Sequence, residues 1–543
     1  MNSTDVRLYD TTLRDGTQGE GVSFSKTDKV RIAERLDTFG VAYIEGGWPG
    51  SNPKDMGFFE AMRDRRLKPA RLAAFGSTRR ATHGPDQDPN LRTLLEAETP
   101  VTTIFGKSWL LHVHDVLRVS PDENLAMIRD SCQFLHDHGK EVIFDAEHFF
   151  DGYKDSPAYA LDVLRAAAAG GATTLALCDT NGGMLPMEIE RVVGAVAEAI
   201  GRQVPLGIHC HNDTDCAVAN SLAAVQAGCS HVQGTVNGLG ERCGNANLCS
   251  IVPGLELKLK RHCVPAGSIR HLQELSTFVF DLANIRPSTH MPYVGASAFA
   301  HKGGMHVNAV QKNATTFEHI PPETVGNKRR VLVSDLAGGS NIMMKAAEHN
   351  IELDHKGPEV KQILAELKRL EAEGYEYEAA DASFWLLMQK MLKRHAPFFQ
   401  LEGFRVIVEK RGPEEPCISE ATIKIGVGGQ TDLAAAEGDG PVNALDRALR
   451  KVLTSFYPEI ANVHLRDFKV RILEGEAGTA AKTRVIIESS DGQSLWGTVG
   501  VSQNIIEASW QALLDSVEYI LFRSQCEHPA AAATEEAAAP VAP

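Results

Sequence analysis

Long apolar runs are missing from this chain: no stretch of its 543 residues reaches the roughly 18 uninterrupted apolar residues of a membrane span. The first residues, MNSTDVRLYDTTLRDG, lack a basic region followed by an apolar one, so no secretory leader is expected. Positive charge is also in short supply. Lys and Arg number 55 against 70 Asp and Glu, a net charge of −15, which argues against nucleic acid as the main partner because phosphate binding needs clustered cations. The ten cysteines form no CxxC pair, and Cys178 and Cys210 sit inside apolar runs where buried free thiols are common. Reduced thiols in the cytosol are the expectation.

What is present is the composition of a soluble globular protein, 43% hydrophobic and 23% charged, in a chain too long for one core. Short apolar runs recur through the first half, separated by helix-length stretches: VRLYDTT, VAYIEGG, RLAAFGS, VTTIFGK, EVIFDAE, TLALCDT, PLGIHCH and HVQGTVN. Eight such βα units over roughly 260 residues predict an α/β chain built on a (β/α)8 TIM barrel. The barrel is expected over 1–286, a helical linker subdomain over 287–402 and an α+β C-terminal domain over 403–526. In that last domain FRVIVEKR, EATIKIGVGG, FKVRIL and TRVIIESSDGQSLWGTVGV alternate at strand period, with Asp491-Gly492 as a hairpin turn. Helices are expected near Asn443–Phe456 and Asn504–Phe522. The Ala/Pro/Glu tail over 527–543 has too little bulky apolar surface to fold.

Barrel enzymes do their chemistry at the C-terminal ends of the strands, and the residues closing these runs are reactive types: Arg14, Asp15, Glu45, Glu147, Asp179, Thr180, His209 and His211. Strand alternation turns the imidazoles of His209 and His211 to one side, about 7 Å apart at Cα. In a closed barrel the seventh, eighth and first strands are consecutive, which brings Asp15 and Asn245, from GLGERCGNAN, to the same histidines. Mixed N and O ligands suit Mg²⁺, Mn²⁺, Co²⁺ or Zn²⁺ without choosing among them. The glycines Gly238, Gly240 and Gly244 read as a tight turn presenting Asn245 rather than a dinucleotide fingerprint. A second HxH, His112 and His114, has no carboxylate at a neighbouring strand end and reads as structural or substrate-lining.

The motifs LYDTTLRDGTQGEGVSFS, YIEGGWPGSNPKD, CDTNGG, GIHCHND, GLGERCGNANL, EGDGPVNALDRALRK and WGTVGVSQNIIEASWQAL together resemble the 2-isopropylmalate synthase and homocitrate synthase family. The resemblance implies a metal-dependent acyltransferase that condenses acetyl-CoA with a 2-keto acid. Pyruvate, giving citramalate for isoleucine biosynthesis, is the favoured acceptor, and the larger keto acids of the family are alternatives. It implies metal binding by Asp15, His209, His211 and Asn245, oxyanion stabilisation by Arg14, a carboxylate contact from Thr180, and acid/base or positioning work by Glu147. An ion pair is the rival role for Glu147, and a cap on the following turn the rival for Thr180. His306, in AFAHKGGMHVNAV, matches a histidine that the family brings to its active site, with His301 the weaker candidate. Phe317 stands where relatives place a tyrosine, which removes a phenol from the inherited mechanism. The C-terminal region resembles an allosteric dimerisation domain, implying a homodimer with isoleucine as effector. A lyase cleaving a C–C bond on the same barrel is the reading from a different class; the mobile cysteine-containing glycine loop of such relatives is not evident here.

Overall fold

Runs of four to seven residues closed by polar side chains become eight parallel strands in the computed structural model: β1 (Arg7–Asp10), β2 (Tyr43–Gly47), β3 (Arg71–Ser77), β4 (Val101–Lys107), β5 (Glu141–Glu147), β6 (Thr174–Asp179), β7 (Leu206–Cys210) and β8 (His231–Gly234). They close in sequence order, β8 pairing with β1 through Tyr9 opposite Gln233. The structure describes residues 5–527 except 202–203, 335–336, 349–350, 355–356, 474–477 and 479. It divides into two units, Met1–Phe299 with Ile320–Arg329, and Ala300–His319 with Arg330–Pro543. From residue 528 onward, the tail expected to be unfolded lies outside the described residues.

Alternation within the strands sorts side chains into two cores. Leu8, Ile44, Ala74, Ile104, Phe144, Leu175, Ile208 and Val232 face outward into the large cluster under the helices. Their neighbours Tyr9, Tyr43, Ala73, Val101 and Ile143 form a separate cluster inside the barrel. The interior is unusually polar at its lower end: Arg7 donates to the Tyr43 hydroxyl at 2.9 Å, which donates to Glu141 at 2.7 Å, and Arg71 pairs with the same carboxylate.

Local signals explain where the surrounding helices start. Five of them begin at Pro53, Pro89, Pro121, Pro157 and Pro186, where the missing N–H is one that no helix would satisfy. The helix Lys26–Phe39 carries a capping box between Ser25 and Asp28 and stops at Gly40 with φ +97°, an arrangement worth about 1 kcal/mol at the cap alone.

In the second unit the described helices Gly304–Lys312, Gly339–Glu348, Pro358–Ala372 and Asp381–Met391 precede two antiparallel three-stranded sheets. The first sheet is Gln400–Glu409, Ile418–Val427 and Gln430–Gly438, followed by the helix Pro441–Leu453. The second is His464–Ile472, Thr483–Ser490 and Leu495–Ser502, followed by Ile505–Glu527. Ile423, Leu445, Leu449, Val485, Ile487, Trp510 and Leu513 share one core. The nine cysteines whose side chains are described, all but Cys526, are free thiols. Among the described residues no helix is long and apolar enough to cross a membrane.

Candidate metal centre and active site

Three side chains from the ends of β7 and β1, the two strands that flank β8, meet at the top of the barrel. Asp15, in the turn after β1, and His209 and His211 each offer one ligand atom, and these atoms lie within 4.8 Å of one another. His209 Nε2 stands 3.4 Å from Asp15 Oδ2, and the two imidazole centroids are 5.2 Å apart. His209 points inward from β7; His211 lies one residue past the strand, where it bridges to Asn245. No other group of three such residues occurs among the described residues.

Burial sets the protonation states that a cation needs. It disfavours the imidazolium of both histidines; for His211 repulsion from His209 adds to this and holds the ring down at about 3. For Asp15 burial opposes ionisation, but Arg14 and the two histidines outweigh it and keep the carboxyl below its ordinary value. Two neutral imidazoles and a carboxylate are the deprotonated ligand set of a divalent metal. The polar atoms left over fit the same reading. His211 Nδ1 and Asn245 Oδ1 are buried with no hydrogen-bond partner, a state that buried polar groups rarely keep. Asn245 is presented by a crowded turn. A Cβ at Gly240 would lie 2.2 Å from Asn245 Nδ2, and one at Gly244, at φ +91°, would lie 2.1 Å from the Gly238 carbonyl oxygen.

Of the residues singled out in the sequence, Arg14, Asp15, Glu147, Thr180, His209 and His211 line one cavity of about 260 Å³. Arg14 bonds Glu45 through Nε, places Nη1 3.2 Å from Asp15 Oδ1, and stacks its guanidinium 3.7 Å over the Phe75 ring. Burial works against its charge, but Asp15 and Glu45 more than offset this. Glu147 is ion-paired with Lys107, its register partner across β4 and β5. Thr180 Oγ1 accepts from the His148 amide at 2.8 Å, which leaves its hydroxyl proton free to donate. His306 and Phe317 belong to the second unit, where their rings lie 4.3 Å apart, and His301 Nε2 is 3.0 Å from Glu318 Oε1. The second HxH does not form a comparable group: His112 stacks on Trp109 at 5.3 Å with the tilted ring of His148 at 4.3 Å, and His114 is exposed.

Several residues of the cavity went unrecognised in the sequence. Trp48 meets Phe75 and Phe105 edge-on, and those two stack at 5.6 Å, forming an aromatic wall. Arg242 pairs with Asp213 at 2.9 Å and donates to the Thr180 carbonyl at 2.7 Å. Asp145 faces the cavity from inside β5, where burial and then the charge of Glu45 push its carboxyl up to about 8.

Comparison with known proteins covers nearly the whole chain. Residues 5–276 match the HMGL-like family model, 293–375 the homocitrate synthase post-HMGL domain, and 378–521 the LeuA allosteric (dimerisation) domain. The (R)-citramalate synthase of Geobacter sulfurreducens is 57% identical over 520 residues, 96% of this chain and 98% of that protein. That of Aquifex aeolicus is 54% identical over 522 residues, 96% and 99% of the two chains. A probable 2-isopropylmalate synthase of Methanopyrus kandleri falls to 33% over 522 residues, 95% and 99%. The chain belongs to the HMGL-like family, alongside the (R)-citramalate synthases that it matches over 96% of its length.

Proposed function

We propose that this protein condenses acetyl-CoA with pyruvate and water to give (R)-citramalate and CoA, the step that leads toward isoleucine. The observation that carries the reading is identity of 52–57% to three (R)-citramalate synthases over 96% of the chain. The buried Asp15, His209 and His211 group supports the metal-dependent chemistry.

Asp15, His209 and His211, with Asn245 Oδ1 as a fourth donor, would hold a divalent cation, Mn²⁺, Mg²⁺, Co²⁺ or Zn²⁺. When bound it supplies Lewis-acid polarisation of a keto carbonyl. The remaining tasks fall to the chain's own groups. A thioester α-proton is weakly acidic, so a base must take it as the new C–C bond forms; Glu147 and His306 are the candidates. Arg14 carries charge toward the oxygen that becomes an alkoxide, and its contacts with Glu45 and Phe75 fix the guanidinium in advance. Thr180 donates its hydroxyl proton to the keto-acid carboxylate. The wall of Trp48, Phe75 and Phe105 limits the bulk of the acceptor and excludes water. Hydrolysis of the thioester then releases CoA.

In this reading residues 1–286 form the catalytic barrel, 287–402 a helical linker subdomain and 403–526 a regulatory domain. The LeuA allosteric (dimerisation) domain supports a homodimer with an effector, and isoleucine, the end product of the route, is the effector we assign. The free thiols suit a cytosolic enzyme. The test is product identity: incubation with acetyl-CoA, pyruvate and Mn²⁺, followed by chiral chromatography. The R isomer of citramalate is expected; a different acid, or the S isomer, would overturn the assignment.

A further inference from the structure

Behind the candidate metal ligands lies a short chain of buried polar groups that the proposed mechanism does not use. Gln233 on β8 sits opposite His209 on β7 in the strand register. Its Oε1 is 2.9 Å from His209 Nδ1, and its Nε2 donates to Asp145 Oδ1 at 2.8 Å across the barrel interior. All three side chains are buried, at 1% exposure for Gln233, 4% for Asp145 and 6% for His209. Each group constrains the next. A carboxyl oxygen accepts, so the amide turns its NH2 toward Asp145. The amide oxygen then faces the imidazole, and an oxygen that can only accept requires a proton on Nδ1. A neutral ring carries one N–H, so Nε2, 3.4 Å from Asp15 Oδ2, is left with its lone pair. With the amide NH2 on Asp145 Oδ1, any proton the buried carboxyl carries sits on Oδ2; rotating the amide would need that proton moved to Oδ1, and moving the ring proton would set lone pair against lone pair at Gln233. Moving the ring proton alone would leave two buried acceptors facing each other unsatisfied.

We infer that Asp145, acting through Gln233, is a positioning residue that fixes His209 as its Nδ1–H tautomer and so keeps Nε2 available to a divalent cation. The inference deepens the metal reading given above and rests on it for its consequence. Outer partners of this kind typically carry about 10–100-fold in metal affinity. A residue chosen only for packing would show no dependence on whether its replacement can accept a hydrogen bond.

The experiment is Mn²⁺ titration of the full-length metal-free protein by calorimetry, together with ¹⁵N NMR of the histidine ring nitrogens. Gln233→Leu and Asp145→Ala should each weaken Mn²⁺ binding by about tenfold or more. Gln233→Glu and Asp145→Asn, which keep an acceptor in place, should stay within a few-fold of the parent. The double variant Gln233→Leu/Asp145→Ala should be no worse than the weaker single one, because the two act in series. Unchanged affinity in Gln233→Leu, or equal losses in the conservative and disruptive variants, would overturn the inference. The NMR arm needs no metal and no folded variant: His209 of the parent protein should be protonated at Nδ1, and protonation at Nε2 would overturn the inference directly. Failure of the parent to bind Mn²⁺ would count against the metal reading alone, since the tautomer is read independently.

Discussion

His209 Nε2 lies 3.4 Å from Asp15 Oδ2, one group carried by the seventh strand and the other by the turn after the first. In the inferred tautomer the contact sets a ring lone pair against a carboxylate, a repulsion that a shared cation would relieve. His209→Ala and Asp15→Asn should therefore each cost more Mn²⁺ affinity than the about 10–100-fold of an outer partner, and thiol release from acetyl-CoA should vanish with it. Chelation with EDTA should abolish turnover of the parent, and Mn²⁺ should restore it. Full activity in either variant would remove the proposed centre.

Arg14 tests a different link, from charge placement to rate. Arg14→Lys keeps the charge but loses the planar fork that spans Asp15 and Glu45 and the stack on Phe75. We expect kcat to fall about 100-fold with Mn²⁺ affinity close to that of the parent, read by steady-state kinetics and calorimetry on the same preparation. A loss of metal binding with kcat preserved would show that Arg14 serves the ligands and not the reaction.

The turn that presents Asn245 makes a prediction from backbone geometry alone. Gly244 combines φ +91° with a site where a Cβ would collide with the Gly238 carbonyl, so Gly244→Ala carries both strain and a clash. A loss of about 1–3 kcal/mol is expected in urea denaturation, together with weakened Mn²⁺ binding as Asn245 shifts. Unchanged values of both would mean that the turn has room to relax.

Much of this was legible in the residues because strands advertise themselves at both ends. Apolar residues such as Leu8 and Ile208 mark the strand, and a reactive residue such as Asp15 or His211 marks its C-terminal end. Asp145 and Gln233 were not legible because they lie inside their runs, two positions and one position short of their strand ends; their significance depends on facing inward, which needs the register. The strand Gln430–Gly438 was missed for another reason. Its sequence, QTDLAAAEG, is alanine-rich and lacks the β-branched residues of its neighbours. The turn before it, Gly428-Gly429, with φ of +55° and +83°, is the hairpin signal that would have found it. Trp48, Phe75 and Phe105 read individually as core residues, and only the barrel's closure gathers them into a wall.

His231 gives the acid response of the barrel. Enclosed between Tyr9 and Tyr43 with neither ring nitrogen hydrogen-bonded, it is held down at about 3 by burial and then by Arg7. The ordinary value of about 6.5 applies to the unfolded chain. As pH falls below about 6.5 the unfolded state therefore takes up a proton that the folded state refuses, and stability drops until about pH 3. Between pH 7 and pH 5 this one group should cost about 2 kcal/mol. His231→Phe should lose that part of the pH dependence in urea denaturation, whereas identical pH profiles would show that His231 titrates normally.

In the second unit, His306→Asn should lower turnover by about 100-fold or more without altering Mn²⁺ affinity, because the ligand group lies wholly in the first unit. Phe317 is 50% exposed, so Phe317→Tyr should leave the melting temperature unchanged. Activity equal to that of the parent would show that the missing phenol is dispensable and a gain that it contributes; a sharp loss would show that the contact of this ring with His306 does not tolerate a hydroxyl at the ring edge.

The central claim is the choice of acceptor, and thiol release from acetyl-CoA with Mn²⁺ measures it most directly when pyruvate, 2-oxoisovalerate and 2-oxoglutarate are offered in turn. The account predicts the highest kcat/KM with pyruvate; strong preference for 2-oxoisovalerate or 2-oxoglutarate, or no turnover with any of the three, would contradict it.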